Sequence, residues 1–378
     1  MTREEIISNL QQYKPHNVML ELPTGFGKTF IALYYAVNIL HCKKILVVSP
    51  THAIIDNWKK EIEKFKYDSS VFNFITYVSF LDECKHKYKN YDCYIYDEVH
   101  HLSDRCINII LKDKNYYNSK RNILLSATVD IEKRNAIKQC FDRIFIHKEY
   151  LKNTINDGKL PSPTCVLIPL TLPKQYIDDY NTLVYTINQY KHQYDIERKE
   201  WQHTMWLKSC GDLLKFLASC KTDILKKIRF IYRAKRMLIF CKDIEQTQVM
   251  GNPVNSKDKK DENLQRFNDK KIMWISACSM LNEGVTLTSC QVGLFAFLNS
   301  NSRVIYQKMG RLLRHKQPIF FIPYYANTRE VTIVNKMIEM CFVPEKTKVI
   351  KVGENSILQR YEYEKRKAKN NQYVKFKE

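Results

Sequence analysis

The first 150 residues alternate short apolar runs with amphipathic stretches, and this alternation restricts the fold more than any other feature of the sequence. The residues between the runs, such as 28–40 and 54–65, carry helical spacing. The runs are apolar throughout, as strands are when both faces of a parallel sheet are covered. Strand alternating with helix predicts an α/β fold with a doubly wound parallel sheet. The runs are VMLEL (18–22), KILVVS (44–49), VFNFITY (71–77), CYIYD (93–97) and NILLS (122–126).

The remainder of the chain predicts a second unit of the same class. Residues 153–174 contain Gly158 and four of the 11 prolines, and we interpret this stretch as an interdomain connection. Apolar runs return at RMLIFC (236–241), KIMWIS (271–276), VGLFAFL (292–298) and IFFIP (319–323). The predicted organisation is therefore a first α/β domain over 1–150, a linker over 151–174, a helical segment over 175–235, a second α/β domain over 236–345 and a basic tail over 346–378.

Positive charge dominates the composition. The chain has 61 Lys and Arg against 40 Asp and Glu, a formal net charge of +21. This excess favours a polyanionic partner, nucleic acid before a membrane surface. An AT-rich genome, which enriches Lys, Asn, Ile and Tyr together, is the alternative explanation. Residues 346–378 are locally more basic than the average of the chain, with ten Lys and Arg against four acids.

Several protein classes are disfavoured by what the sequence lacks. The start, MTREEIISNLQQYK, has no apolar segment of the kind found in signal peptides. No apolar run approaches the ~20 residues that a membrane-spanning helix needs. The 12 cysteines form no C-x-x-C pair, which is typical of reduced thiols rather than a zinc cluster. We therefore expect a monomeric cytoplasmic protein with no membrane partner.

A glycine-containing loop follows the first apolar run and opens the first long helix. Glycine is scarce, with nine residues among 378, whereas ~7% is usual. Two of the nine lie in LPTGFGKT at 22–29, between a strand and a helix, as a phosphate-binding loop requires. Leu22 stands where the general G-x-x-x-x-G-K-[ST] pattern has its first glycine. The predicted nucleotide-binding residues are Pro23, Thr24, Gly25, Phe26, Gly27, Lys28 and Thr29.

Each polar residue of this loop has a predicted task. Gly25 and Gly27 let backbone N–H groups turn toward phosphate oxygens, because glycine accepts a positive φ without strain. Lys28 is expected to neutralise the β- and γ-phosphates of ATP, and the Thr29 hydroxyl to bind Mg²⁺. A glycine-lysine-threonine sequence in an ordinary turn is the alternative.

The acidic sequence Asp97-Glu98-Val99-His100-His101 ends the CYIYD run. Ligands of open α/β sheets bind at the carboxyl ends of the strands. We therefore predict that Asp97 holds Mg²⁺ and that Glu98 orients and deprotonates the attacking water. His100 is close enough to couple this site to its surroundings. Charged residues that merely cap the end of a strand are the alternative. The two histidines have no further ligands at metal-binding spacing.

The ordered set of motifs resembles that of superfamily 2 helicases. PTGFGKT, DEVHH and Ser126-Ala127-Thr128 are followed by LIFCKDIEQTQ (238–248), MLNEGV (280–285) and Gln307-x-x-Gly310-Arg311-x-x-Arg314. They occur in the order of motifs I to VI, over roughly residues 15–345. The DExH box with SAT and M-L-x-E-G is most similar to the group that contains UvsW, XPB and restriction-enzyme motor subunits. The small size and AT-rich composition suggest a phage or mobile-element origin.

The resemblance implies two tandem RecA-like domains that bind ATP and Mg²⁺ between them. Arginines from the second domain would stabilise the charge that develops on the γ-phosphate. The implied catalytic residues are Lys28, Asp97, Glu98, Gln307, Arg311 and Arg314, with Gly284 as a further nucleotide contact. His100, Ser126 and Thr128 would couple the nucleotide state to motion. Two departures from the family leave a strict preference for ATP undefined: Thr286 replaces the acid of motif V, and no tyrosine-glutamine pair precedes the loop.

A nucleic-acid strand would lie across both domains, held by hydroxyls and backbone N–H groups that contact its phosphates. The candidates are Pro50, Thr51, Thr76 and Ser276, with helix caps and turns as the alternative for each. The tyrosine-rich segment that begins at Tyr176 could stack bases. A helix stripe packed on a domain surface is the favoured interpretation of that segment.

We therefore expect an ATP-dependent nucleic-acid helicase or translocase, with DNA favoured over RNA and single-stranded or branched DNA as the partner. A translocase or branch remodeller that moves on duplex DNA without separating the strands is the first alternative. The second is an ATPase clamp or scaffold that nucleic acid stimulates and whose output is the binding of a partner.

Overall fold

The computed structural model describes residues 2–82, 90–254, 260–278, 287, 290–299, 308–310, 312–313, 315–341 and 346–375. The chain divides into two compact units, with the boundary between Leu160 and Pro161. None of the helices in these ranges has the length and apolar character that a membrane span requires.

The first unit is built on a six-stranded parallel sheet in the order β3-β2-β4-β5-β1-β6. Each of the five predicted strands is present within one or two residues of its predicted ends, and β6 was not predicted. The strands are β1 (Asn17–Glu21), β2 (Ile45–Ser49), β3 (Phe72–Thr76), β4 (Cys93–Tyr96), β5 (Arg121–Ser126) and β6 (Phe145–Lys148).

Alternate residues of these strands face two different hydrophobic clusters. On β1, Val18 and Leu20 belong to one cluster, and Met19 belongs to the other. Helices therefore cover both faces of the sheet, which confirms the predicted doubly wound α/β class. The helices of this unit are α1 (Arg3–Tyr13), α2 (Lys28–Tyr34), α3 (His52–Lys64), α4 (Tyr77–Asp82), α5 (Asp104–Lys112), α6 (Lys114–Asn118), α7 (Ile131–Cys140) and α8 (Leu151–Asn156).

The second unit is built on a seven-stranded parallel sheet in the order β13-β7-β12-β11-β8-β10-β9. Strand β8 lies inside this sheet, with β10 on one side and β11 on the other. The strands are β7 (Thr164–Leu170), β8 (Met237–Phe240), β9 (Pro253–Val254), β10 (Trp274–Ala277), β11 (Val292–Phe295), β12 (Ile319–Tyr325) and β13 (Lys348–Lys351).

Helices of the second unit include a long antiparallel pair, α9 and α10. Tyr176 and Tyr180 pack against the core of the unit, and Tyr194 stacks on Trp206 with their ring centroids 6.3 Å apart. These contacts agree with a packed helix stripe. The helices are α9 (Ile177–Glu197), α10 (Glu200–Cys220), α11 (Thr222–Ile231), α12 (Ile244–Met250), α13 (Lys260–Asn268), α14 (Glu330–Cys341) and α15 (Glu354–Lys375).

The stretch that the sequence suggested as a linker, 151–174, instead contains α8 and strand β7. Its prolines suggested irregular structure, yet Pro169 lies within β7. Strand β13 pairs with β7 only as far as Leu167, whereas β12 pairs along its whole length. Pro169 therefore lies where one side of β7 has no partner strand, and its missing N–H costs no hydrogen bond of the sheet.

The basic segment 346–378, expected as a tail, contributes strand β13 and helix α15 to the second unit. Ile357 of α15 is buried in the core of that unit, and Tyr361 packs edge-on against Phe230 of α11. Arg233 donates hydrogen bonds of 3.3 Å to the Glu364 carboxylate. These contacts anchor the helix, while Lys365, Arg366 and Lys367 remain exposed.

A buried ion pair joins the start of α11 to α14. Lys221 and Glu330 are 0% and 1% exposed, and their Nζ and Oε1 atoms lie 2.5 Å apart. Glu330 also accepts a hydrogen bond from the backbone N–H of Tyr325. Burial lowers the pKa of Lys221, and the Glu330 carboxylate opposes that effect. The lysine is thus held in its charged form by one carboxylate.

We predict that Glu330→Gln lowers the free energy of unfolding of this unit by about 3–5 kcal/mol, because it leaves a buried ammonium without its counter-charge. Urea denaturation followed by circular dichroism measures the loss. Asp195→Asn is the matched control, since the Lys191–Asp195 pair is about half exposed and such pairs contribute under about 1 kcal/mol. Similar small losses in both variants would contradict the prediction.

Candidate active site

The predicted phosphate-binding loop leaves the carboxyl end of β1 as a tight turn. All five residues of β1 are buried, and the Leu22 N–H donates to the Ser126 carbonyl oxygen at 2.9 Å. Gly25 and Gly27 have φ values of 90° and 96°, which only glycine adopts without strain. The chain therefore places two of its few glycines where this turn needs them.

Three observations fit this loop to phosphate oxygens. A Cβ on Gly27 would lie 3.2 Å from Nε of Arg3, so a side chain at this position would crowd that arginine. The Thr24 hydroxyl is buried and has no hydrogen-bond partner. Lys28 Nζ donates to the Leu22 carbonyl oxygen at 3.0 Å, which folds its charge back over the loop. The backbone amides and the lysine thus present positive charge to one small volume.

Asp97 is buried at the end of β4 and is held by three other groups. Its Oδ2 accepts a hydrogen bond from the Trp58 indole N–H at 2.7 Å, and its Oδ1 accepts one from the Glu98 N–H at 2.9 Å. Its backbone carbonyl accepts from the Tyr77 hydroxyl at 3.0 Å. The bonds to Oδ2 and Oδ1 fix the orientation of the carboxyl group, and the Tyr77 bond holds the backbone beside it.

Burial raises the pKa of Asp97 to about 7, and the adjacent Glu98 carboxylate adds to the rise. The Trp58 hydrogen bond and the charge of Lys28 oppose it. A carboxylate is a hard oxygen ligand, which suits Mg²⁺. Because a cation stabilises the ionised form, metal binding here would release the proton that the buried carboxyl holds near neutrality. The residues present therefore fit a divalent cation at Asp97.

A chain of contacts runs from Glu98 to the segment after β5. His100 Nδ1 lies 3.4 Å from Glu98 Oε2 and 2.9 Å from Ser126 Oγ. Ser126 Oγ donates its own proton to the Thr128 carbonyl oxygen at 3.0 Å. The Ser126 hydroxyl must therefore accept from His100, which assigns the proton to Nδ1. The three predicted coupling residues are thus brought together with Glu98.

Glu98 itself has a left-handed backbone, with φ of 47° and ψ of 56°. A non-glycine residue in this region is strained, and the surrounding structure must hold it there. The hydrogen bond from its own N–H to Asp97 supplies part of that constraint. The strain turns the Glu98 carboxylate toward His100.

A second buried carboxylate supports the strand that leads into the loop. Glu21, the last residue of β1, is fully buried and accepts two hydrogen bonds from Arg134 of α7, at 2.8 and 2.9 Å. Lys148 of β6 lies 3.6 Å away. Arg134 thus links the strand before the phosphate loop to the helix that follows Thr128.

The predicted nucleic-acid contacts divide into two groups. Thr51 is exposed and caps α3 by accepting from the Ile54 N–H, with Pro50 partly exposed beside it. Thr76 is largely buried and accepts from the Ser79 N–H at 3.2 Å. Ser276 is fully buried, and its hydroxyl donates to the backbone carbonyls of Thr247 and Gly251. Ser276 was predicted to contact a strand, but it lies inside the second unit, where its hydroxyl is already occupied.

Four other predicted site residues, Gly284, Gln307, Arg311 and Arg314, lie outside the described residues. Conversely, sequence reasoning missed Trp58 and Arg134, and it missed the bond from Tyr77, expected beside Thr76 as a strand-end contact, to Asp97. Trp58 and Tyr77 each carry a polar group on an otherwise apolar side chain, and such groups find a partner when buried. A buried Glu21 within an apolar strand signals that some cation must pair with it. Neither signal identifies the partner, since the contacts are distant in sequence.

Two family descriptions match the chain in separate regions. "Type III restriction enzyme, res subunit" matches residues 2–87, and "Helicase conserved C-terminal domain" matches residues 220–316. A protein of Sulfurisphaera tokodaii named DNA 3'-5' translocase XPB2 is 25% identical over 341 residues, which cover 79% of this chain and 75% of that protein. Transcript termination protein A18 of Yaba-like disease virus is 31% identical over 135 residues, 28% of its own length.

Solved structures with the same fold include the Hef helicase domain of Pyrococcus furiosus. It is 14% identical, with a TM-score of 0.54 over 88% of this chain and 97% of that chain. Dbp5 of S. cerevisiae, bound to RNA and ADP BeF3, is 10% identical, with a TM-score of 0.64 over 96% of this chain and 92% of that chain. These likenesses confirm the fold of two tandem RecA-like domains.

The fold, the phosphate loop and the family matches define an ATP-hydrolysing motor of the helicase class. Within that class, the chain is similar to superfamily 2 helicases and translocases over both matched regions.

We predict that Gly27→Ala lowers nucleotide affinity at least tenfold, because a Cβ is strained at this φ and crowds Arg3. Titration with a fluorescent ATP analogue measures the change. Gly211→Ala is the control: this glycine lies within helix α10 with no atom within 4 Å of an added Cβ, so alanine should stabilise the helix by ~1 kcal/mol without changing nucleotide affinity. Unaltered affinity in Gly27→Ala would contradict the assignment of the loop.

Proposed function

We propose that the chain is an ATP-driven translocase that moves on DNA. The observation that carries this proposal is a series of interactions that starts and ends at the phosphate loop. The Lys28 charge acts on Asp97, Glu98 lies 3.4 Å from His100, and His100 contacts Ser126, whose carbonyl accepts from Leu22 of the loop. A series of this kind can report the state of the nucleotide to other parts of the protein. The relative from Sulfurisphaera tokodaii, whose name describes a DNA translocase, supports DNA as the polymer.

The nucleotide would be held mainly by the loop between β1 and α2. The N–H groups around Gly25 and Gly27 bind phosphate oxygens, and Lys28 leaves the Leu22 carbonyl to neutralise the β- and γ-phosphates. Thr29 and Asp97 would hold Mg²⁺. A bound Mg²⁺ would supply the positive charge that stabilises the leaving diphosphate.

Hydrolysis would use Glu98 as the group that orients the attacking water and accepts its proton. Its side chain is only 15% exposed, and it follows Asp97 directly in the chain. His100 Nδ1 lies 3.4 Å from the Glu98 Oε2 atom without a hydrogen bond between them. Arg311 and Arg314, with Gln307, would stabilise the charge that develops on the γ-phosphate, and Gly284 would approach the nucleotide.

Coupling would run through the Nδ1 proton of His100. When Glu98 gains or loses a proton, its electrostatic attraction for this N–H changes. The hydrogen bond from the same N–H to the Ser126 hydroxyl then becomes stronger or weaker. The Ser126 carbonyl also accepts a hydrogen bond from the Leu22 N–H at the start of the loop. A movement of Ser126 would therefore act on the loop directly. Thr128 and the helix that carries Arg134 follow in the chain.

Strand contacts would come from the first unit, at Pro50 and Thr51 before α3 and at Thr76 before α4. Single-stranded or branched DNA is the proposed substrate. A duplex translocase that leaves the strands paired remains a second candidate, because the S. tokodaii relative is named for translocation rather than unwinding.

We predict that Glu98→Gln lowers the rate of ATP hydrolysis by about 10²–10⁴-fold, the usual contribution of a general base, while nucleotide affinity stays within about threefold. Lys28→Ala should instead lose nucleotide binding itself. Single-turnover hydrolysis and equilibrium nucleotide titration, performed on both variants, separate the two effects. Full turnover by Glu98→Gln would contradict the assignment of the base.

We predict that single-stranded DNA stimulates the ATPase more strongly than an RNA of the same sequence. Displacement of streptavidin from biotinylated single-stranded and duplex DNA, run beside strand separation on forked DNA, identifies movement and unwinding separately. Movement without separation would support the duplex translocase. Stimulation by RNA alone would overturn the choice of DNA, and stimulated ATPase without displacement would favour a clamp.

A further inference from the structure

The carboxyl edge of the second sheet contains a group of lysines and phenylalanines that the motor mechanism does not use. Phe240 ends β8 and Phe295 ends β11, and the two residues are paired in register. The chain passes from β8 toward β10 and β9 on one side, and from β11 toward β12 on the other. The carboxyl ends of β8 and β11 therefore form the topological switch point of this sheet, where open α/β sheets bind their ligands.

Lys308 projects its ammonium group among the phenylalanines at this point. Its Nζ lies 3.6 Å from the centroid of the Phe297 ring, 5.5 Å from that of Phe240 and 5.9 Å from that of Phe295. The residue is only 4% exposed. Ring faces attract a cation, but this attraction is weaker than the hydration free energy that the ammonium group loses on burial.

No carboxylate among the described residues forms an ion pair with Lys308. Among the described residues of this unit, Lys221 is also fully buried, and its ammonium meets the Glu330 carboxylate at 2.5 Å. Within that part of the chain, one buried lysine is thus paired with an acid and the other lies against aromatic rings without one. A buried charge without a counter-ion is costly and is retained where a ligand supplies the missing charge.

A second lysine shares the same ring. Lys242, two residues after Phe240, places its Nζ 5.8 Å from the Phe297 centroid. Its charge acts against that of Lys308. The nearest acid in sequence, Asp243, is engaged elsewhere: it caps α12 through the Gln246 N–H and pairs with Lys215. Two positive charges therefore converge on Phe297 with no acid between them.

We propose that Lys308 and Lys242 form a phosphate-binding site at the switch point of the second sheet. The ligand is a phosphate group, either a phosphodiester of the nucleic-acid strand or a phosphate of the nucleotide. The first source rests on the proposed function. An anion there lies between two charges that otherwise repel each other, and it replaces the hydration that Lys308 has lost.

Binding at this site would be linked to proton uptake. The pKa of Lys308 is lowered to about 7, chiefly by burial; the Cys241 thiol opposes this effect and the Lys242 charge adds to it. A phosphate stabilises the ammonium form and raises this pKa. The free protein must therefore take up a proton to bind above neutrality, so affinity falls as the pH rises from 7 to 8.5.

The site is tested with Lys308→Met, Lys308→Arg and Lys242→Met, and with Lys226→Met as the control. Lys226 is an exposed lysine of α11 in the same unit, so its replacement removes the same charge elsewhere. Fluorescence anisotropy of labelled oligo(dT) at several KCl concentrations gives affinity and salt dependence. If the strand is the ligand, we expect Lys308→Met to weaken binding about tenfold and to reduce the salt slope by ~0.7. Lys242→Met should act similarly, and Lys226→Met should change neither quantity.

The nucleotide as the source of the phosphate gives a different pattern. The KM for ATP without nucleic acid would then rise in Lys308→Met, while oligo(dT) affinity would stay constant. In either case Lys308→Arg should still bind the ligand. Its affinity should not fall between pH 7 and 8.5, because a guanidinium does not titrate in that range.

Unfolding by urea separates a ligand site from a structural lysine. Methionine removes a buried unpaired charge and keeps the volume, so Lys308→Met should have an unfolding midpoint equal to or above that of the wild type. A lower midpoint with unchanged oligo(dT) affinity, salt slope and KM would overturn the site and assign Lys308 a packing role. Wild-type binding of oligo(dT) and its stimulation of hydrolysis report the proposed function independently of these variants.

Discussion

Desolvation of the Asp97 carboxyl is the constraint on which the rest of the first unit's site depends. A carboxylate buried at a strand end is tolerated only when hydrogen bonds hold it, and the Trp58 indole and the Glu98 N–H supply them, while Tyr77 holds the backbone carbonyl of the same residue. Glu98 follows in a left-handed conformation, with its side chain 3.4 Å from His100. The residues that we propose as metal ligand, base and relay are thus grouped around one buried carboxyl group.

Glycine is scarce in this protein, and other residues therefore occupy several backbone positions with a positive φ. Eight non-glycine residues with positive φ occur among the described residues, against four glycines. Lys14 and Arg198 occupy left-handed positions at helix ends where glycine is usual, each at roughly 1 kcal/mol. Gly25 and Gly27 lie in the loop where we propose that a phosphate approaches the backbone, and a strained side chain could not substitute for them there.

The two sheets place charge at their carboxyl edges in different ways. In the first unit, the charge of Lys28 on the phosphate loop acts on Asp97, which follows β4. In the second, Lys308 and Lys242 lie near phenylalanine rings, and no acid among the described residues forms an ion pair with either. Parallel strands make both arrangements available, because all of their carboxyl ends, and hence the loops that follow, lie on one edge.

The sequence by itself determined the α/β class, five of the six strands of the first sheet, the phosphate loop and the DEVHH and SAT motifs, because each depends on residues that are adjacent in the chain. Only the tertiary structure decided that Pro169 lies in a strand, that 346–375 belongs to the second unit, that Ser276 is buried and that Trp58 and Arg134 hold the site. These outcomes depend on which distant segments become neighbours. Burial, and with it the energy of a charge or a hydroxyl, is a property of that neighbourhood rather than of the residue.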